Sequence, residues 1–334
     1  MSARIDSLRG LACVLLVGYH VVGPDPDHGL RVANGALRWA NDALAYLRMP
    51  LFTFLSGLVY GLRPFAGDSQ DFLIGKARRL LIPMLFVGTL FAALQAFTPG
   101  THSSVNAWYL LHIQPVAHFW FVESLFWIFM VVWALERWGL LASKKGFAVT
   151  LTLSCALYLS VRGWSGLGIE GAIYLMPYFL VGLAFSRFPL KSCLSRLGVT
   201  LALTVVAIGS ALSMGLPTPN ADRRTVAMLL VGICLCLLCL RSELHAPWLA
   251  RIGHYSYPIY LWHIFFTAAS RIALHRIGVD YIFLDLLVGV LLGLTGPMLI
   301  DRTFSGSRLL APLLLGKAPP AFFRSECSST VSAT

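Results

Sequence analysis

Charged residues are scarce in this chain. Asp, Glu, Lys and Arg together make up 12% of its 334 residues, against roughly a quarter in soluble domains. A solvated globule of this length is therefore excluded. The seven cysteines do not form a framework: Cys13, Cys155, Cys234, Cys236 and Cys239 fall inside apolar runs, and Cys193 and Cys327 lie in polar segments. The run MLLVGICLCLLCL lacks His or carboxylate partners within its span, so its three thiols read as small apolar filler, and no metal site is expected. No cleavable leader is expected, because Arg9 and His20 interrupt the first apolar run and no small-residue cleavage site follows it. No internal repeat is visible, which removes the inverted symmetry common in transporters. The net charge of +11 does not point to nucleic acid, because the 26 basic residues are scattered in short clusters between apolar runs.

What the chain does contain is apolar sequence: 57% of residues, with a mean hydropathy of +0.74. Runs suited to crossing ~30 Å of hydrocarbon occur at 8–23, 46–62, 80–97, 117–136, 146–162, 168–186, 197–215, 225–240, 256–275 and 282–300. The fold class is accordingly all-α, a polytopic membrane protein with about ten transmembrane helices over residues 1–303. Residues 304–334, rich in Pro, Ser and Ala, read as a cytoplasmic, poorly ordered tail. With the N-terminus inside, 18 of the 26 Lys and Arg fall on cytoplasmic segments and 8 on the opposite side, which predicts that both termini are cytoplasmic.

Ionisable groups inside apolar spans mark functional candidates, because burying charge in lipid is costly. In RIDSLRGLACVLLVGYH, Arg9 and His20 are eleven residues apart. At ~100° per residue that is three turns plus about 20°, so both leave one helix face, separated by ~16 Å along the axis. Arg9 alone could be a flanking cation snorkelling to headgroups. In HFWFVESLFWIF, Glu123 enters the membrane at a depth similar to that of His20, where a carboxylate could orient the imidazole or serve a structural pairing. His118 suits the interface beside Trp120. His263, in YLWHIFF, suits a structural hydrogen bond. The cluster Lys76, Arg78 and Arg79 reads equally as positive-inside anchoring and as a cradle for a phosphorylated ligand.

Four stretches, in order, resemble the membrane acyltransferase family three: RIDSLRGLACVLLVGYH, MPLFTFLSGLVYGL, KARRLLIP and IGHYSYPIYLWH. The resemblance implies a multi-pass O-acyltransferase of the inner (plasma) membrane. Its co-substrate would be an acyl-coenzyme A, acetyl-coenzyme A above all, and its acceptor a hydroxyl of a cell-surface glycan or lipid-linked saccharide. Arg9 would help bind the donor, Arg78 and Arg79, with Lys76, would meet its phosphates, and His20 would be the catalytic residue; Glu123, read from its depth, stands three residues after Trp120, where many members carry their Glu two positions later, at Leu125 here. The partners so implied are the lipid bilayer and the saccharide, with no nucleic acid; self-association into a homo-oligomer stays open. The alternative from another class is a proton-coupled transporter or flippase with His20, Glu123 and His263 as a relay.

Overall fold

A computed structural model describes residues 2–64, 69–98, 108–164, 166–190, 195–214 and 224–318. Cys193, Cys327 and the tail beyond residue 318 lie outside these residues. Among the described residues the chain is helical and carries no strand. The helices are α1 (Ser2–Val22), α2 (Ala36–Ala43), α3 (Ala45–Leu62), α4 (Ser69–Phe97), α5 (Trp120–Arg137), α6 (Lys144–Ser160) and α7 (Ile169–Arg187). They continue with α8 (Arg196–Met214), α9 (Val226–Arg241), α10 (Pro247–His254), α11 (Ser256–Arg276), α12 (Ile282–Phe304) and α13 (Leu310–Leu315).

Each of the ten predicted apolar runs coincides with a helix. Among the described residues, six helical segments are long and apolar enough to cross a membrane: Ala3–Val22, Ala36–Leu62, Ser69–Phe97, Ala117–Arg137, Gly166–Arg187 and Ile282–Phe304. The remaining four fall short for identifiable reasons. α6 and α9 have 17 and 16 residues, below the ~20 that span a bilayer. α8 is described with side chains only as far as Ser210. α11 has the length but carries His263, Arg271, His275 and Arg276.

Local chemistry sets several helix ends. The Ser143 hydroxyl accepts from the Gly146 amide at 3.0 Å, and the Thr225 hydroxyl from the Met228 amide at 3.2 Å; these caps satisfy donors that the first turns of α6 and α9 leave open. Pro258 stands in the first turn of α11, where its missing N–H costs nothing. Three short helices lay outside the hydropathy pattern: α2, α10 and α13. The last of these falls in the expected poorly ordered tail, yet Ala311, Leu314 and Leu315 are buried and α13 packs on α4.

Glycines set two close crossings. α3 meets α7 through a reciprocal notch: a Cβ on Gly57 would stand 2.0 Å from the Phe179 carbonyl oxygen, and one on Gly182 would stand 2.0 Å from that of Phe54. α1 meets α10 in the same way, with Gly10 against the Leu249 carbonyl and Gly253 against that of Asp6. In lipid, where apolar burial gives helices little reason to associate, backbone contact over small residues is a main source of packing. α1 packs against α3 and α10–α12, with Leu8, Ala12, Cys13 and Val17 fully buried.

Candidate active site

The Arg9 and His20 side chains lie on α1, ~16 Å apart along its axis. At the His20 end three imidazoles converge. The His20 ring centroid lies 5.7 Å from that of His118 and 4.9 Å from that of His263, and the latter two are 4.9 Å apart. His118 comes from a short 3-10 turn ahead of α5, entered through Ala117 at φ 48°. His263 comes from α11.

Both added histidines are held by backbone carbonyls. His118 Nε2 donates to the Tyr260 carbonyl at 2.9 Å, and the Tyr260 hydroxyl donates back to the His118 carbonyl. His263 Nδ1 donates to the carbonyls of Ile259 at 2.8 Å and Tyr260 at 2.9 Å. A carbonyl can only accept, so these nitrogens carry the protons. In each neutral ring the other nitrogen is then a bare acceptor. Those two atoms, His118 Nδ1 and His263 Nε2, are buried without a hydrogen-bond partner. No group of three or more His, Cys, Asp or Glu side chains among the described residues is arranged to hold a metal ion.

His20, His118 and Tyr260 line a cavity of about 1460 Å³, together with Tyr19, Trp120 and Arg48. Arg48 is 4% exposed. Its guanidinium stands 4.0 Å from the centre of the Tyr19 ring, and Nη1 donates to Asn41 Oδ1 at 3.0 Å. Asn41 in turn is anchored to the Gly23 carbonyl, as is Arg38, which pairs with Asp42. The buried polar face of α2 thus supports an arginine inside the cavity wall. His28, another lining residue, donates through Nδ1 to Asp25 Oδ1 at 2.6 Å, which holds the Asp25 carboxyl below its usual range.

At the opposite end of α1, Arg9 pairs with Asp6 at 3.4 Å. The charge of Arg79 acts on Arg9, on Lys76 and on Tyr257. Lys76 Nζ lies 3.5 Å from the centre of the Phe129 ring. Arg78 is exposed. Arg9, from α1, and Lys76 and Arg79, from α4, are thus neighbours at this end of the protein.

Glu123, the other candidate catalytic residue, lies on α5. It is 4% exposed and lies in the first turn of α5, its Cβ against Gly168; both carboxylate oxygens are buried without a hydrogen-bond partner. Among the described residues no hydrogen bond or ion pair joins it to His20; its charge acts on Tyr260. Sequence reasoning missed two features of the centre. His118 and His263 looked like interface or structural residues, because nothing in a one-dimensional pattern reports that α5 and α11 meet at α1. Arg48 has no candidate role in the sequence; its place within the run RMPLF is the available signal.

Fold and site together define a multi-pass helical membrane protein with a histidine centre in the wall of a large cavity. The chain belongs to acyltransferase family three, whose model, described as an acyltransferase domain, matches residues 2–302. It is accordingly an acyltransferase. No curated protein and no solved structure matches it significantly.

Proposed function

We propose that this enzyme moves an acyl group, acetyl above all, from coenzyme A to a hydroxyl of a cell-surface or lipid-linked glycan in the inner (plasma) membrane. The ten helices that coincide with the apolar runs would cross the bilayer, with both termini cytoplasmic. The observation that carries this reading is the division of labour along α1. The neighbouring cations Arg9, Lys76 and Arg79 suit phosphates. The imidazole of His20 stands ~16 Å further along, at the wall of the large cavity. An extended coenzyme A arm joins two such points, whereas a small acyl group alone would not. Arg78, which is exposed, would add a further phosphate contact.

In this reading His20 takes the proton of the acceptor hydroxyl as its oxygen attacks the thioester carbonyl. The carbon–sulfur bond then breaks and the coenzyme A thiolate recovers that proton. Attack by His20 itself, with an acyl-imidazole intermediate, conserves the same atoms. Glu123, buried beside Tyr260, would influence the centre through the Tyr260–His118 pair. The test is acyl transfer from radiolabelled acetyl-coenzyme A by the purified protein in nanodiscs, together with mass spectrometry of surface glycans with and without the protein. Loss of an acetyl mass from a glycan on deletion supports the reading; an unchanged glycan profile and no transfer overturn it.

A further inference from the structure

The motif KARRLLIP ends in a proline four residues after Arg79. In a helix the carbonyl of residue i accepts from the amide of residue i+4, and Pro83 has no N–H to give. The Arg79 carbonyl is therefore open in the ladder of α4. The backbone of a segment far along the chain comes over it. Gly316, which ends α13 in the left-handed conformation at φ 63°, lies so close that a Cβ there would stand 2.3 Å from the Arg79 carbonyl oxygen and 3.0 Å from Pro83 Cγ.

Three contacts hold that glycine in place. The Lys317 amide closes the end of α13 on the Ala311 carbonyl at 3.2 Å. The Trp262 indole N–H donates to the Leu314 carbonyl at 3.1 Å. Lys317 Nζ lies 2.7 and 2.8 Å from the two oxygens of Asp301, a carboxylate buried near the end of α12. On its other flank α4 is held by the Tyr257 hydroxyl, which donates to the Leu80 carbonyl at 3.3 Å. The turn of α4 that presents Lys76 and Arg79, three residues apart and so on one face, is clamped from two sides at its own backbone.

We propose that Gly316, locked by the Lys317–Asp301 pair, is a positioning residue for the coenzyme A phosphate site: it seats the C-terminal segment on the Arg79 carbonyl and sets the direction in which Arg79 and Lys76 point. The inference rests on the reading of Arg79 as a phosphate ligand. It assigns a role to a segment whose composition suggested a disordered tail.

The experiment measures binding of coenzyme A, and of pantetheine, which lacks the phosphates, to the full chain in nanodiscs by calorimetry. Gly316→Val should weaken coenzyme A by about tenfold, the size of one charge-assisted contact, and leave pantetheine unchanged. Lys317→Glu should do the same, and Lys317→Arg should bind like the parent. Arg79→Ala is the control for the underlying reading. If it leaves coenzyme A affinity unchanged, the phosphate site is elsewhere and the proposal falls with it. If Arg79→Ala weakens binding while Lys317→Glu and Gly316→Val do not, the phosphate site stands and the positioning role is refuted. Equal weakening of coenzyme A and pantetheine also refutes it, because the segment would then serve general stability alone. The Lys317 variants keep the test decisive should Gly316→Val fail to fold.

Discussion

His20 and His263 stand with their ring centroids 4.9 Å apart, one from the first helix of the chain and one from the eleventh. His263 spends its Nδ1 proton on the Ile259 and Tyr260 carbonyls, so the nitrogen left over, Nε2, is a buried acceptor beside His20. An acceptor so placed can hold the tautomer of a neighbouring imidazole, the part that a carboxylate plays beside a catalytic base.

That arrangement makes His263 testable separately from His20. His263→Phe keeps an aromatic ring but loses the acceptor, and should lower kcat by about a hundredfold, within the range for positioned acid–base groups, with both KM values unchanged. Steady-state kinetics over a pH series checks it. A kcat equal to that of the parent removes His263 from the centre.

Donor binding and chemistry should separate along α1. Contacts retained equally in ground and transition states move KM, and contacts made only in the transition state move kcat. Arg79→Ala, like Arg78→Ala, should raise KM for the acyl donor and leave turnover at saturation. His20→Ala should abolish turnover while coenzyme A still binds. Near-parental transfer by His20→Ala would place the chemistry elsewhere.

Glu123→Gln preserves shape and removes the ionisable group. Because no hydrogen bond joins the Glu123 carboxylate to a histidine among the described residues, the expected loss in kcat is smaller than for His20→Ala, about tenfold, with unchanged protein abundance and donor affinity. Unaltered turnover assigns Glu123 a structural role.

The α3–α7 crossing should be sensitive to added bulk. Gly57→Val and Gly182→Val each drive a side chain into a carbonyl 2.0 Å from the Cβ position. Each should destabilise the protein by about 1–3 kcal/mol or more, read as a lowered thermal midpoint in detergent. Gly75→Val, where a Cβ meets nothing within 4 Å, serves as the contrast.

Topology is open to reporter fusions. Fusions after Asp71, Lys145 and Arg324 should report a cytoplasmic location, and fusions after Gly100 and Pro217 the opposite side. The reverse pattern would invert the donor and acceptor faces.

Much of this protein is a local property of its sequence. Apolar runs of spanning length must satisfy their backbone groups internally in lipid and so become helices, which is why each run read from hydropathy coincides with one. The shared face of Arg9 and His20 is equally local, since both belong to a single helix whose pitch is constant. The encounter of His20 with His118 and His263 is not local. It depends on where α5 and α11 settle against α1, and that is decided by glycine notches and carbonyl-bound imidazoles that only packing brings together. The same holds for Arg48, whose place among Tyr19, Asn41 and the cavity follows from the fold of α2 onto the end of α1. It holds too for Gly316, whose place follows from a distant helix offering α13 an open carbonyl and a buried carboxylate.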